Sequence, residues 1–579
     1  MSFCKSLFSL FVLLIIFTSC EEINNLKHRS WYEKDSITDT PSPSLSFNKK
    51  YHEGQFDDRL KLYYFIRTWG LLKYKAPEVS NGRKNWDKEL IQRIPKVLAS
   101  KTINEFSNNI QSLLDLSEIQ DSVLNSGDDQ NKFWYQNSYF SKHQQRNLNW
   151  LYEKSVSNIY YVTQKGSGRL ILEQSGIDNN IQSIEVRIFA LAEYWNLIEY
   201  FYPYKHLLDK SWDSILYDHV LSFKEAKQEL DYHLLCLQLC SEISDGHSVT
   251  TSEVLDYKFL GEYVPDFKLK YINDTLIVSQ KYNNNNLIQK GDIILSMNGE
   301  NLITKRNSLK VYYKNSSNQN RLDYTLNSVT ISSKLKQNKL TILRGDRLIA
   351  IPYTFTSFTR TAEYKLDFYS SYEKESVSEL LNPRLGYMHI NKIFKSNWDD
   401  SYQDIVKCDT LIIDVRGYPN EMLFDISNKI LPGERDFFKV RYADLFRPGQ
   451  FRIGDGFKIG EQNKPEDFNG VLILLVDEAT QSQSEFLVMA LQMYPRCLTI
   501  GTQTSGSDGN IAKIRLPGGI NTVMTSIGIL YPDGKETQRV GVSLDHEIIP
   551  SLNDLRSKED YLIKFVKTGR WFQGNRIEN

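Results

Sequence analysis

Hydrophobic positions along the chain change period several times, and each change marks a boundary. Near the start, Lys5 precedes an almost unbroken apolar run, Ser6–Phe17. The run is shorter than the roughly 20 apolar residues a bilayer core requires, and it suits the hydrophobic region of a signal peptide. Residues 21–56 are polar, with Pro41-Ser42-Pro43-Ser44 in the middle, the pattern of a flexible tether. From 57 to 250 apolar residues fall at helical spacing, as in Leu60, Leu62, Phe65 and Ile66, or Val186, Ile188, Leu191 and Ala192. Each stretch runs into the same motif. Trp69-Gly70-Leu71-Leu72-Lys73-Tyr74, Pro77, Trp86-Asp87 and Leu90 return at identical spacing as Trp195-Asn196-Leu197-Ile198-Glu199-Tyr200, Pro203, Trp212-Asp213 and Leu216. The pattern predicts a helical repeat of helix, aromatic-Pro corner and helix, with Asp near the start of the second helix, where it suits the dipole. At this spacing the Trp and Tyr residues belong in a core rather than on a binding platform.

Beyond 260 the period shortens. Asn273–Val278 reads as a turn and strand, and in Leu287–Gly299 a Gly291-Asp292 turn leads into an apolar strand closed by Asn298-Gly299. Residues 261–355 are therefore expected to form a β-rich module. From 385 strand and helix signals alternate, the mark of an α/β domain spanning 375–560. Leu385–Ile390, Thr410–Arg416 and Val471–Val476 read as strands, and the last is followed by a polar turn and the helix Phe486–Leu491. A strand, sharp turn and helix present a side chain at a helix N-terminus, where unpaired N–H groups can stabilise an oxyanion. Ser482 occupies that turn, with Ser484 and Thr480 as alternative helix caps.

Composition narrows the choice of function. The chain has 579 residues, 41% hydrophobic and 24% charged, enough for several globular domains. With 70 Lys and Arg against 71 Asp and Glu, no basic field is available for nucleic acid. Cys236 and Cys240 lie four apart on one expected helix face, without further ligands nearby, and read as buried free thiols rather than a metal site. Phe17-Thr18-Ser19-Cys20 resembles a bacterial lipobox, in which the Cys is lipidated and becomes the new N-terminus. Cys20 is thus the expected lipid attachment point of an exported lipoprotein held to a membrane of the cell envelope. Glu21-Glu22 favour the outer membrane, with the body periplasmic or surface-facing. None of these features specifies an oligomeric state.

Four segments in order resemble the C-terminal-processing and tricorn-core serine peptidase family. They are Ser244-Asp245-Gly246-His247, the PDZ-like Gly291-Asp292 segment, Asp414-Val415-Arg416 and Ser482-Gln483-Ser484-Glu485, with Gly541-Val542 as a similar ending. The resemblance implies a multidomain protein with an N-terminal, mainly α helical repeat, a central PDZ-like module and a C-terminal α/β peptidase domain of the ClpP/crotonase-like type. It implies Ser482 as nucleophile and a structural Ser484. The position 25 residues after Ser482, where processing members place a lysine base, holds Ser507, and the nearest lysine is Lys513. His247 is therefore the expected base, since imidazole titrates near neutrality without extreme desolvation. The position matching the tricorn acid holds Gln538, which can orient an imidazole but not neutralise it, and Glu536 lies two residues earlier. Asn420-Glu421 replace the family's glycine pair, leaving the backbone N–H groups of Asn420 and Gln483 as oxyanion donors. The expected activity is peptide-bond hydrolysis on protein or peptide substrates captured by the PDZ-like module, with no metal or cofactor. The alternative is a catalytically silent peptidase fold that binds peptides or hydrophobic ligands.

Overall fold

The computed structural model describes residues 36–38, 56–117, 134–357 and 378–572, apart from 158, 167, 178, 283–285, 315–317 and 465–467. The signal segment and Cys20 lie outside the described residues. Within the stretch expected to be a tether, β1 (Ser36–Thr38) pairs antiparallel with Phe451–Ile453. No described helix is long and apolar enough to cross a membrane.

The N-terminal region is mainly helical. Helix α1 (Asp58–Lys75) starts at Asp57, whose side chain accepts from the Leu60 N–H, and is followed by α2 (Trp86–Ala99). Helices α3 (Ile184–Phe201) and α4 (Trp212–Glu225) carry the second copy of the Trp motif. Trp69 and Trp86 each donate an indole N–H to the other's carbonyl at 3.0 Å. Trp195 and Trp212 do the same at 2.8 and 2.9 Å. All four indoles are buried, with their only polar atom satisfied. The copies differ where α1 and α3 cross: a Cβ on Gly70 would stand 1.7 Å from the Asn196 Oδ1, so only glycine fits there. Charges are also buried at this junction. Lys73 bonds both Asp87, at 2.8 Å, and Glu193, at 2.7 Å, while Arg67 pairs with Asp213 at 2.9 Å. Between the copies the chain adds a two-stranded hairpin, Val162–Gln164 with Leu170–Leu172. Helix α5 (Glu229–Ser241) follows, and its Cys236 and Cys240 are free and buried.

A central sheet is built from β2 (Phe267–Ile272), β3 (Thr275–Lys281), β4 (Ile293–Met297), β5 (Gln337–Arg344) and β6 (Arg347–Thr354), in the order β6-β5-β4-β3-β2. Helices α6 (Leu302–Leu309) and α7 (Gln319–Thr330) pack beside it. The apolar side of α7, including Leu322 and Leu326, meets Leu237 of α5, together with Leu255 and Phe259. This contact fastens the module to the helical region.

The C-terminal domain is a mixed sheet with helices on both faces. β7 (Ser378–Asn382) is an antiparallel edge on β8 (Leu385–His389), which begins a parallel series with β9 (Thr410–Asp414). Later strands extend the series: β12 (Val471–Val476), β13 (Cys497–Gly501) and β17 (His546–Glu547). Between them the chain forms a second sheet around β10 (Arg435–Ala443), with β11 (Phe451–Ile453) and β16 (Ile527–Leu530) as neighbours, and a hairpin of β14 (Ile511–Leu516) with β15 (Ile520–Thr525). Leu411, Ile413, Leu472 and Leu474 enter one apolar cluster while Ile412, Ile473 and Leu475 enter another. Both sheet faces are thus covered, which is why these strands are continuous apolar runs rather than alternating ones.

Candidate active site

In such sheets, loops at the carboxyl ends of the strands carry the site. The end of β12 is drawn towards the end of β9, because Thr480 donates its hydroxyl to the Val415 carbonyl at 3.2 Å. The chain then turns sharply into helix α8 (Gln483–Leu491) through Ser482, whose φ of +56° is a costly backbone state for a residue with a Cβ. Ser244, Glu421 and Arg539 also have positive φ. Ser482 is held there by its own N–H, which lies 2.9 Å from the Ser507 carbonyl and 3.2 Å from Glu485. Glu485 is fully buried and accepts from the Thr504 hydroxyl at 2.6 Å and from the N–H groups of Gly506 and Ser507 at 2.7 and 2.9 Å. Burial pushes its pKa up, and these donors pull it down. Ser507, at the position of the absent lysine, is part of this brace. Ser484 donates to the Gly417 carbonyl at 2.9 Å, tying α8 to the loop after β9.

The segment carrying His247 reaches the elbow directly: Gln481 donates to the Gly246 carbonyl at 3.0 Å, so the residue before Ser482 is bonded to the residue before His247. His247 is 1% exposed and Ser482 9%. The His247 Nδ1 lies 2.9 Å from the Thr525 hydroxyl and 3.7 Å from Asp245. Its Nε2 is buried without a hydrogen-bond partner among the described residues. Asp245 is fixed on three sides: it accepts from the His247 N–H at 3.0 Å, from the Thr525 N–H at 2.7 Å and from the Gln538 amide at 3.4 Å. Burial lowers the His247 pKa, Asp245 opposes that shift, and the nearby Arg321 reinforces it. The imidazole is therefore neutral at pH 7, the state a general base requires.

The remaining predicted residues divide. Gln538 is buried against Asp245 rather than on the imidazole. Glu536 faces away from that cluster, bonded to Arg441 and 3.1 Å from the His206 Nε2. Asn420 anchors its loop by donating to the carbonyls of Asn391 and Ile393 at 2.7 and 2.9 Å. That loop leaves β9 through Asp414 and Arg416, a bidentate pair at 2.9 and 2.7 Å. Burial raises the Asp414 pKa, but Arg416 outweighs it and holds it at about 2. Gln483 opens α8, so its N–H belongs to the first helical turn. Among the described residues, no group of His, Cys, Asp and Glu is placed to hold a metal ion.

Asp245 and Glu485 stand in the segments that carry the resemblance, but the sequence assigns them no role, and it gives no signal for Thr525 or Arg321. Asp245, two before His247, was the detectable one; Thr525 lies 278 residues from His247 and gives no local signal.

The domain thus combines a covered parallel sheet, a strained serine between strand and helix, and a buried histidine on a segment bonded to the serine's turn. Residues 384–548 match the model of Peptidase family S41, and this match identifies the domain as a serine peptidase hydrolase. Among solved structures, mature CPAF complexed with lactacystin is 12% identical, with a TM-score of 0.54 over 67% of this chain and 98% of that one. Mature CPAF alone gives 12%, 0.51, 66% and 96%. The photosystem II D1 C-terminal processing protease is 16% identical over 64% of this chain and 97% of its own, with a TM-score of 0.37. No curated protein matches the sequence.

Proposed function

We propose that the chain is an endopeptidase using Ser482 as nucleophile and His247 as general base, with Asp245 and Thr525 orienting the base. The unpartnered His247 Nε2, on a segment bonded to the turn of Ser482, carries this reading. Thr525 accepts the Nδ1 proton, which leaves Nε2 as the basic nitrogen. Ser482 attacks the scissile carbonyl as Nε2 takes its proton, and the same proton then passes to the leaving amine. The N–H groups of Gln483 and Asn420 receive the oxyanion, and water hydrolyses the acyl-enzyme. Asp245 stabilises the transient imidazolium, and Gln538 holds Asp245 rather than replacing it. In this reading residues 261–355 are a PDZ-like module that captures extended or C-terminal peptide segments. Cys20 carries the lipid of an exported envelope protein.

The test compares the soluble body after Cys20 with its Ser482→Ala form on an unfolded protein between pH 5 and 9. Wild type should cleave at least ~1,000-fold faster than the variant. Equal or absent cleavage by two folded proteins favours the second reading, a silent fold that binds peptides or hydrophobic ligands. Gln538 and Asn420-Glu421, in place of an acid and a glycine pair, favour that alternative.

A further inference from the structure

Beside the Ser482 turn stands a cation that the proposed chemistry does not use. Arg321 lies in the first turn of α7, in the central module, where its N–H is capped by Asn318 at 3.0 Å. Its guanidinium crosses to the catalytic domain, donating to the Gln481 side chain and, at 3.5 Å, to the Glu478 carbonyl. Gln481 precedes Ser482 and is bonded in turn to Gly246, so Arg321 is one side chain removed from both catalytic segments. The guanidinium also lies 4.9 Å from the centre of the Tyr324 ring. Among the described residues no carboxylate pairs with it. Asp323, two residues on, is engaged by Arg306 and by Gln319 at 2.8 Å, and Glu478 by Lys270 at 2.8 and 3.1 Å and by Thr502 at 2.9 Å.

Buried cations of this protein are satisfied in one of two ways: Arg187 and Lys75 are saturated by backbone carbonyls, and others are paired with acids. Arg67, Lys73, Lys270, Arg306, Arg416 and Arg441 each have a carboxylate partner. Arg321 is half-buried, its Nε is buried without a partner, and the rest of its fork is bound only to neutral acceptors. A guanidinium left uncompensated where water is partly excluded favours an anion, and its planar fork matches a carboxylate.

We propose that Arg321 binds a carboxylate of the peptide substrate next to the scissile bond, either the C-terminal α-carboxylate or an acidic side chain. This rests on the peptidase reading for its substrate and extends it to specificity. It also makes the base responsive to substrate, because a bound carboxylate offsets the positive charge that disfavours imidazolium at His247.

The test measures binding on the Ser482→Ala protein, so that it survives even if wild type fails to cleave. Three ten-residue peptides of Ala and Leu, N-terminally labelled with neutral methoxycoumarin, serve as probes: a free C-terminal carboxylate, its amide, and the amide carrying one central Glu. At low salt the carboxylate-bearing probe that fits should bind at least ~10-fold tighter than the neutral amide, a preference that salt weakens. Adding Arg321→Met should bring the ratio to about one, whereas Arg321→Lys should keep part of it. Thermal melts establish that both variants are folded. Preference for the free terminus alone assigns the α-carboxylate; preference for the Glu peptide alone assigns a side chain. Equal binding of all three, no binding of any, or a ratio unchanged by Arg321→Met overturns the proposal. A preference that persists while wild type and Ser482→Ala cleave equally slowly retires the peptidase reading but not the carboxylate site.

Discussion

The junction of α1 with α3 and the cluster around Ser482 both bury polar groups, yet they treat cations and bases differently. At the helical junction every charge is matched: Lys73 has two carboxylates and Arg67 has Asp213. The indole N–H groups close reciprocal pairs, and the one tight crossing is relieved by Gly70. Around Ser482, by contrast, the backbone is held in an unfavourable conformation, and both the His247 Nε2 and the Arg321 Nε lack partners. At the junction the atoms left without a partner, the Tyr74 hydroxyl, the Asn196 Oδ1 and one oxygen of the paired Asp213, belong to neutral or already paired groups, whereas at Ser482 they are a ring nitrogen and a guanidinium nitrogen. The strain at Ser482 is maintained by Glu485, whose acceptor bonds brace the turn.

Substitutions can break this contrast from either side. The largest expected effect is on turnover: Asp245→Asn should lower kcat about 1,000-fold or more while KM changes little, measured by steady-state kinetics on a peptide substrate. Its pH profile should also shift, since Asp245 opposes the burial that depresses the His247 pKa. Next, Lys73→Ala leaves Asp87 and Glu193 facing each other without their cation and should cost about 3–5 kcal/mol in urea unfolding. Activity of the folded fraction should be unchanged. Gly70→Ala forces α1 away from Asn196 and should cost about 1–3 kcal/mol by the same measurement.

A smaller effect comes from pH. His389 is buried, and desolvation chiefly depresses its pKa to about 4, so the unfolded chain takes up its proton before the folded chain does. That contribution to stability is complete above pH 6.5 and is lost as pH falls from there towards 4, by on the order of 2 kcal/mol at pH 5. His247 and His233 are depressed by burial too and act in the same direction. Melting temperatures between pH 7 and 5 should therefore fall, and a His389→Gln form should lose part of that dependence.

What the sequence made legible was whatever is encoded within one element. The Trp motifs announce their helices because aromatic and apolar residues recur at helical spacing, and the continuous apolar runs of β9 and β12 announce a sheet covered on both faces. The turn at Ser482 was visible because strand and helix signals abut there. Contacts between distant segments were not visible. Asp245 meets Gln538 across 293 residues and Arg321 meets Gln481 across 160, and no local pattern records either. The strand at Ser36–Thr38 escaped notice because its polar neighbours resemble a linker and its partner lies in the last third of the chain.

Asp245 has a consequence for when the enzyme can act. Its carboxylate collects groups from the His247 loop, from β15 and from the stretch around Gln538, so no fragment that stops short of Gln538 contains the whole arrangement. A ribosome elongating this chain releases the nucleophile well before it releases the last support of the base. In the proposed mechanism a nascent or truncated chain is therefore dormant, and competence arrives with the final stretch of synthesis.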